Sequence, residues 1–148
     1  MVDDRTAGYA ALLLRVATGL LFLIHDAVKV FIFTPAGTAG FFGSLGLPPQ
    51  LAYVAMVLEF VGGVALILGV WPRVAALVMV PLLVGAIVTV HGHNGFLFTD
   101  ANGGWEYPAF WALAMIALAL IGDGAHALLP TPSFNASPAL KPTAALKA

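Results

Sequence analysis

The sequence contains no cysteine, which excludes disulfide exchange, thiol relays, iron–sulfur clusters and cysteine-ligated zinc on this chain. Charged residues are also scarce. They make up 9% of 148 residues, whereas a soluble domain carries roughly 25%. A net charge of −1 gives no basic surface for nucleic acid, so no nucleic-acid partner is expected. A basic segment and a small-residue cleavage site are missing before the first apolar run, which is therefore predicted to be a retained membrane helix.

What the chain has instead is apolar sequence. Hydrophobic residues make up 61% of the chain, and the mean hydropathy is +0.99. A membrane helix needs roughly 20 apolar residues, and four stretches approach or exceed that length: 9–33, 51–70, 73–91 and 107–121. The fourth is short, and it extends as far as residue 126 if the following turn is included. These stretches predict an all-α fold, a transmembrane four-helix bundle.

The remaining segments set the predicted domain boundaries. Residues 34–50 have glycine and proline at both ends and Phe41-Phe42 in the middle, which predicts a re-entrant or interfacial segment between helices 1 and 2. Residues 1–8 form the predicted cytoplasmic N-terminus and residues 9–126 the four-helix membrane domain. Residues 127–148 are rich in proline and alanine and are predicted to be a disordered cytoplasmic tail.

Lysine and arginine predict the orientation in the membrane. One side carries five of these residues and the other side only Lys29. The five are Arg5, Arg15, Arg73, Lys141 and Lys147. Cytoplasmic loops carry the excess of positive charge, so both termini are expected in the cytoplasm. The chain is thus predicted to be a multi-pass protein of the bacterial inner membrane.

The informative side chains are the ionisable ones within or beside the apolar stretches. A charge in hydrocarbon costs several kcal/mol, so such residues mark candidate functional sites. The predicted ligand-binding residues are His25, Asp26, Lys29, Glu59 and His91. The predicted supporting residues are Arg15, Gly62, Gly63, Arg73 and Glu106. No catalytic residue is assigned.

Helical spacing and depth group these residues. His25 and Lys29 lie on one face of the first helix together with Arg15, because the intervals between them follow the helical period. Glu59 lies about eight residues into the second helix, roughly 12 Å below the surface, and His25 lies at a similar depth. Glu59 needs a partner or a proton, and the candidates are His25, Lys29 and a group on helix three. Two interpretations stay open: a proton-handling or ligand-binding site, or a satisfied polar network that locks the bundle. Arg15 and Lys29 also fit simple anchors at the two interfaces.

Histidines raise the question of a metal. His91 and His93 are two apart, so they point to nearly opposite faces of a helix and bind one metal only if the helix breaks at Gly92. His25 and His91 are a conceivable pair of haem ligands, since imidazole suits iron. A metal on His25, His91 and His93 is the less favoured alternative, haem is disfavoured, and no metal site is predicted.

Several segments, taken together, resemble the DoxX family of small four-helix membrane proteins. The matching segments are LLLRVATGLLFLIHDAVKVF (12–31), GTAGFFGSLGLPP (37–49), LEFVGGVALILGVWPRVAAL (58–77), VHGHNGF (90–96) and GGWEYPAFWALAMIALALIGDG (103–124). The resemblance covers about residues 10–124. It assigns family positions to Arg15, His25, Lys29, Glu59, Gly62-Gly63, Arg73 and His91. The chain departs from the family at Asp26, where a glycine is usual, and in GDGAHALL (122–129).

The resemblance implies a membrane subunit associated with thiosulfate:quinone oxidoreduction, or a partner of soluble oxidative-stress and sulfur-handling enzymes. The first hypothesis is therefore an accessory subunit of a quinone- or sulfur-linked redox system, with a quinone or small-molecule pocket in the outer half of the bundle. Its expected partners are membrane lipid and either a redox protein or further copies of the chain. The alternatives are a scaffold or assembly factor with a structural polar network, and a small oligomeric transporter.

Overall fold

The computed structural model describes residues 4–132, and within that range the fold is helical, without β-strands. Five α-helices follow one another in the described chain. They are α1 (Asp4–Ala27), α2 (Pro35–Ser44), α3 (Gln50–Leu68), α4 (Pro72–Ala86) and α5 (Glu106–Ile121). Wider π-helical turns extend α1 through Val28–Ile32 and α4 through Ile87–His91. The predicted all-helical class is confirmed for these residues.

Three of the described helices are long and apolar enough to cross a membrane. With their π-helical extensions they cover Arg5–Ile32, Gln50–Leu68 and Pro72–His91. Helix α5 is a shorter apolar helix of 16 residues, about 24 Å long at 1.5 Å per residue. The chain is therefore a membrane protein.

Local sequence explains where α2 and α4 begin. The Thr34 hydroxyl accepts a hydrogen bond from the Gly37 amide at 3.2 Å, and Pro35 occupies the first turn of α2. A threonine cap satisfies one of the free amides at a helix start. Helix α3 ends at Gly69 in a left-handed conformation, and Pro72 opens α4. Glycine after a helix and proline at the start of the next are the favoured residues for such a short connection.

The four longer helices contact one another in a closed cycle, α1 with α3, α3 with α4, α4 with α5 and α5 with α1. The backbones of α1 and α3 come close together where Gly19 and Gly63 face each other. A Cβ atom on Gly63 would lie 2.9 Å from the Gly19 carbonyl oxygen. Small residues permit such close backbone contacts in membrane helices. The buried core includes Phe22, Leu66 and Met79.

Residues 122–131, which we call the strap, cross the helix ends at which α1 and α4 begin. The Ala125 amide donates to the Gly8 carbonyl at 2.8 Å, the Leu129 amide to Gly69 at 3.0 Å, and the Trp71 amide to Leu129 at 2.8 Å. The first residues of the predicted tail, 127–131, belong to this strap. Residues 133–148 of that tail, and residues 1–3 of the predicted N-terminal segment, lie outside the described residues.

Candidate functional site

A cavity of about 920 Å³ lies at the end of the fold opposite the strap. Its walls come from all five helices and from the two π-helical turns. Aromatic side chains form much of the wall, namely Phe22, Phe33, Phe41, Phe42, Tyr107 and Trp111. Polar groups are few: His25, Lys29, Thr38, Glu59, Thr89 and His91, with the Tyr107 hydroxyl. Ligand pockets in proteins have this composition, mostly apolar with a small number of placed polar groups.

Lys29 and Glu59 form an ion pair at this cavity. Lys29 Nζ lies 2.5 Å from Glu59 Oε2, and the side chains are 22% and 12% exposed. Lys29 was one of the partners predicted for Glu59. The Lys29 carbonyl accepts a hydrogen bond from the Thr38 hydroxyl at 3.1 Å, which ties the π-helical turn after α1 to α2. π-Helical turns inside α-helices occur frequently at functional sites.

His91 lies at the cavity with one ring nitrogen already bonded. Its Nδ1 is 2.9 Å from the Gly103 carbonyl oxygen. A carbonyl only accepts, so Nδ1 carries the proton and donates it. In the neutral ring Nε2 is then an acceptor, and it is the nitrogen left for a ligand. The loop that precedes α5 therefore fixes the tautomer of this histidine.

His25 faces the same cavity from α1, one turn before Lys29. Its ring packs edge-on against Trp111 of α5, with 5.3 Å between the ring centres. Among the described residues, no hydrogen bond engages the His25 ring nitrogens. Trp111 also packs on Phe22 at 4.2 Å, and its indole Nε1 is buried with no partner in the described structure. The His25 ring is thus a hydrogen-bonding group at the cavity wall that no described side chain satisfies.

Asp26 is the one predicted ligand-binding residue that does not line the cavity. The residue is 7% exposed, and its Oδ1 atom is buried with no hydrogen-bond partner in the described chain. The carboxylate interacts electrostatically with Lys29 and with Glu59. Asp26 therefore lies outside the cavity wall but close enough to Lys29 and Glu59 to interact with their charges.

None of the predicted supporting residues lines the cavity; the two glycines pack helices together, and Arg15 bonds to the strap. Gly63 allows the close approach of α1, while a Cβ atom on Gly62 would meet the Met79 sulfur of α4 at 2.5 Å. Arg15 is 1% exposed and donates from Nη2 to the Ala125 carbonyl at 2.7 Å. The glycines thus bring helices together and do not open the cavity.

Arg73 and Glu106 take local structural positions. The Arg73 amide at the start of α4 donates to the Thr131 hydroxyl at 3.3 Å, which links that helix to the strap. Glu106 begins α5, and its Oε2 accepts from the Phe98 amide at 3.3 Å. A carboxylate at a helix N-terminus is favourable for the helix dipole. Each residue therefore supports a helix start.

The histidines do not gather into a metal centre in the described part of the chain. Within residues 4–132, no group of three or more His, Asp or Glu side chains is placed to hold a metal ion. His93 lies beyond the π-helical turn that ends at His91, is exposed, and does not line the cavity. His25 and His91 share the cavity, whereas His93 is separated from it.

Sequence reasoning missed the contributions of α2 and α5. Phe41 and Phe42 of α2 and Leu45 just after it line the cavity, as do Tyr107 and Trp111 of α5, and none of these five is among the predicted site residues. Aromatic residues in an apolar sequence are as suitable for contact with lipid as for the wall of a pocket, and so they do not indicate where a pocket lies.

The chain belongs to the DoxX family, whose model matches residues 10–92. A Bacillus subtilis (strain 168) protein named "Putative oxidoreductase CatD" is 39% identical over 119 residues, covering 80% of this chain and 84% of its own length. "Inner membrane protein YphA" of Escherichia coli (strain K12) is 32% identical over 124 residues, covering 79% and 86%. An uncharacterised Haemophilus influenzae protein is 34% identical over 122 residues, covering 81% and 88%. No solved structure matches the chain.

Proposed function

We propose that this chain is an accessory subunit of a quinone-linked redox system in the bacterial inner membrane, and that its cavity binds a quinone. The observation that carries the proposal is the composition of the cavity. A largely aromatic and aliphatic space of about 920 Å³ has an ion pair and two histidines along one part of its wall. Small-molecule sites have volumes of roughly 300–1,000 Å³ and a few convergent polar groups.

The polar groups suit both redox forms of a quinone ring. A quinone carbonyl accepts hydrogen bonds, and the Lys29 ammonium is a donor at the cavity wall. A quinol hydroxyl donates, and the Nε2 atom of His91 accepts because the Gly103 carbonyl holds the proton on Nδ1. His25 supplies a donor and an acceptor from its unengaged ring. The Phe41, Phe42 and Trp111 rings supply flat apolar surface for the ring and its chain.

Two observations support a redox role: the name of one relative and the residue types that this chain contains. CatD carries an oxidoreductase name, which supports a redox role here. Within residues 4–132 no three side chains are grouped to bind a metal, and the sequence has no cysteine. Electrons for the quinone would accordingly come from a partner oxidoreductase, with this chain holding the ring in place.

The proposed topology has four spans with both termini in the cytoplasm. Helix α5 serves as the fourth span, although its 16 residues cover only about 24 Å. Arg5, Arg15 and Arg73 lie toward the strap end of the fold, and Lys29 lies at the cavity end. Positive residues concentrate on the cytoplasmic side, so the strap faces the cytoplasm and the cavity the outer leaflet.

Filling the cavity tests the proposal. Gly85 lines it, and a Cβ atom there would have no neighbour within 4 Å, so Gly85→Leu projects into open space without displacing backbone. The protein in lipid nanodiscs should bind a short-chain ubiquinone or menaquinone saturably, and Gly85→Leu should weaken that binding about tenfold or more, a loss of about 1.4 kcal/mol.

Gly40→Leu is the matched control. A Cβ atom on Gly40 would also have no neighbour within 4 Å, but Gly40 lies outside the cavity wall, so quinone binding should be unchanged. Membranes from cells that lack the chain should lose quinone reduction. Wild-type protein should restore that activity, and Gly85→Leu should not. A wild-type protein that binds neither quinone would contradict the proposal and favour the scaffold alternative.

A further inference from the structure

The charges beside the cavity do not balance. Two carboxylates, Asp26 and Glu59, accompany one ammonium, Lys29, and Lys29 is bonded to Glu59. Asp26 precedes Lys29 by three residues, so the two side chains are neighbours on the helix surface. Asp26 as a residue is 7% exposed, its Oδ1 atom is buried with no partner in the described chain, and its charge repels that of Glu59. One carboxylate is therefore left without a counter-charge.

An uncompensated carboxylate is costly in this position. Moving an isolated ionised carboxylate out of water into a medium of low dielectric costs far more than burying a neutral acid, and the group takes up a proton instead. Two carboxylates that share a site behave in the same way, because only one of them ionises readily. The cluster thus needs one further positive charge or one proton.

The neighbouring groups do not supply that charge. His91 donates from Nδ1 to the Gly103 carbonyl, and a second proton on its Nε2 would place a cation near Lys29. A proton that made His25 a cation would likewise place that charge near the Lys29 ammonium, and no described group accepts a hydrogen bond from the His25 ring. Thr38 and Tyr107, which face the cavity from α2 and α5, carry no positive charge.

We propose that Asp26, Lys29 and Glu59 form a proton-binding site in which two carboxylates and one ammonium hold one surplus proton. The proton resides on whichever carboxylate Lys29 does not pair. In this structure Lys29 pairs with Glu59, so Asp26 is the carboxylic acid. When the flexible lysine turns to Asp26, the proton passes to Glu59, which faces the cavity.

This site gives the cavity a proton donor, a role that rests on the proposed quinone function. When the partner oxidoreductase delivers electrons to the quinone, a ring oxygen becomes negatively charged. The carboxyl O–H bond of Glu59 breaks and an O–H bond forms on that ring oxygen, which leaves two carboxylates beside one ammonium until a proton from water restores the surplus proton. Asp26 is then a positioning residue that keeps a proton available, and Glu59 is the group in reach of the ligand.

Infrared spectroscopy of the full-length protein in nanodiscs, without any quinone, tests the site. A protonated carboxylic acid has a C=O stretching band separate from the amide bands, and the band shifts in D2O. At neutral pH the wild type should show one such band. Asp26→Asn and Glu59→Gln should each abolish it, because one carboxylate then pairs with one ammonium. Lys29→Met should instead give two bands.

Asp100→Asn is the control, since Asp100 lies in the loop before α5 and accepts from the Leu97 amide; the wild-type band should persist. Size-exclusion profiles and thermal unfolding confirm that each variant is folded. If the wild type shows no protonated-acid band, the proposed proton-binding site is wrong. A histidine cation or a bound metal cation would then balance the charge instead. Because no quinone is present, this result is independent of whether the cavity binds one.

Discussion

Lys29 Nζ and Glu59 Oε2 lie 2.5 Å apart across the interface of α1 and α3, although 30 positions separate the two residues in the sequence. Lys29 belongs to a π-helical turn and Glu59 to the middle of a regular helix. The pair joins the two helices at the same depth as the cavity and forms part of its wall. Packing and ligand contact therefore depend on the same two side chains.

Changing Glu59 separates the loss of charge from the loss of hydrogen bonding. Glu59→Gln retains an acceptor for Lys29 and should be mild, whereas Glu59→Leu removes the group to which the largely buried ammonium is bonded and should lower the free energy of unfolding by about 1–3 kcal/mol. The double variant Lys29→Met with Glu59→Leu should recover most of that loss, because the ammonium that lost its bonded partner is then absent. Thermal unfolding in detergent measures the stability of each variant, and equal stability of Glu59→Gln and Glu59→Leu would contradict this prediction.

The contact of α1 with α3 predicts a graded glycine series. Gly63→Ala places a methyl group against the Gly19 backbone carbonyl, which cannot move aside, and should destabilise by about 1–3 kcal/mol. Gly62→Ala meets the flexible end of Met79 and should cost less. Gly85→Ala, with open space around its Cβ, should be neutral or stabilising by up to about 1 kcal/mol, since alanine favours the helix. Unfolding midpoints that do not follow this order would argue against the α1–α3 packing.

Removing the guanidinium of Arg15 should loosen the strap. Arg15→Gln loses the hydrogen bond from Nη2 to the Ala125 carbonyl, while a shorter polar side chain stays in the buried space. Amide hydrogen exchange should accelerate at Ala125, Leu128 and Leu129, whose amides bond across to the helix ends. The loop between His91 and α5 serves as the internal control and should exchange as in the wild type. Unchanged exchange in the strap would show that Arg15 does not hold it.

The orientation is accessible by cysteine labelling, because the chain has no cysteine of its own. Gly43→Cys and Ala101→Cys lie at exposed positions toward the cavity end, and Pro132→Cys lies at an exposed position just after the strap. In intact cells a membrane-impermeant maleimide should label the first two and should reach Pro132→Cys only after the membrane is opened. Labelling of Pro132→Cys in intact cells would reverse the proposed topology.

The sequence was informative wherever a residue type was improbable in lipid. Lys29, Glu59, His25 and His91 stood out because ionisable groups are expensive in a membrane, and the structure brings all four to one cavity. Asp26 was grouped with them but lies behind the cavity wall, since the helical period fixes a direction only to within part of a turn. A residue type that is rare in membranes therefore indicates that such residues share one region of the fold, but it does not show which of their side chains face the cavity.

The apolar part of the site could not be predicted in the same way. Phe41 and Trp111 both line the cavity, yet aromatic residues are as suitable for contact with lipid tails as for contact with a ligand. Gly62 and Gly63 illustrate the reverse difficulty, because small residues signal close packing and open space equally well. The structure assigns both glycines to packing. Only the arrangement of helices in space distinguishes these possibilities.

Locating a bound quinone is the most direct test of the cavity. A photoreactive azido-quinone, irradiated with the protein in nanodiscs, should label peptides containing cavity-wall residues such as Phe33, Phe41, Val54 and Trp111. Excess unlabelled quinone should compete, and Gly85→Leu should abolish the labelling while Gly40→Leu leaves it intact. Labelling confined to the outward lipid-facing residues Leu13, Phe110 and Leu120, or labelling that unlabelled quinone does not reduce, would contradict a quinone site between these helices.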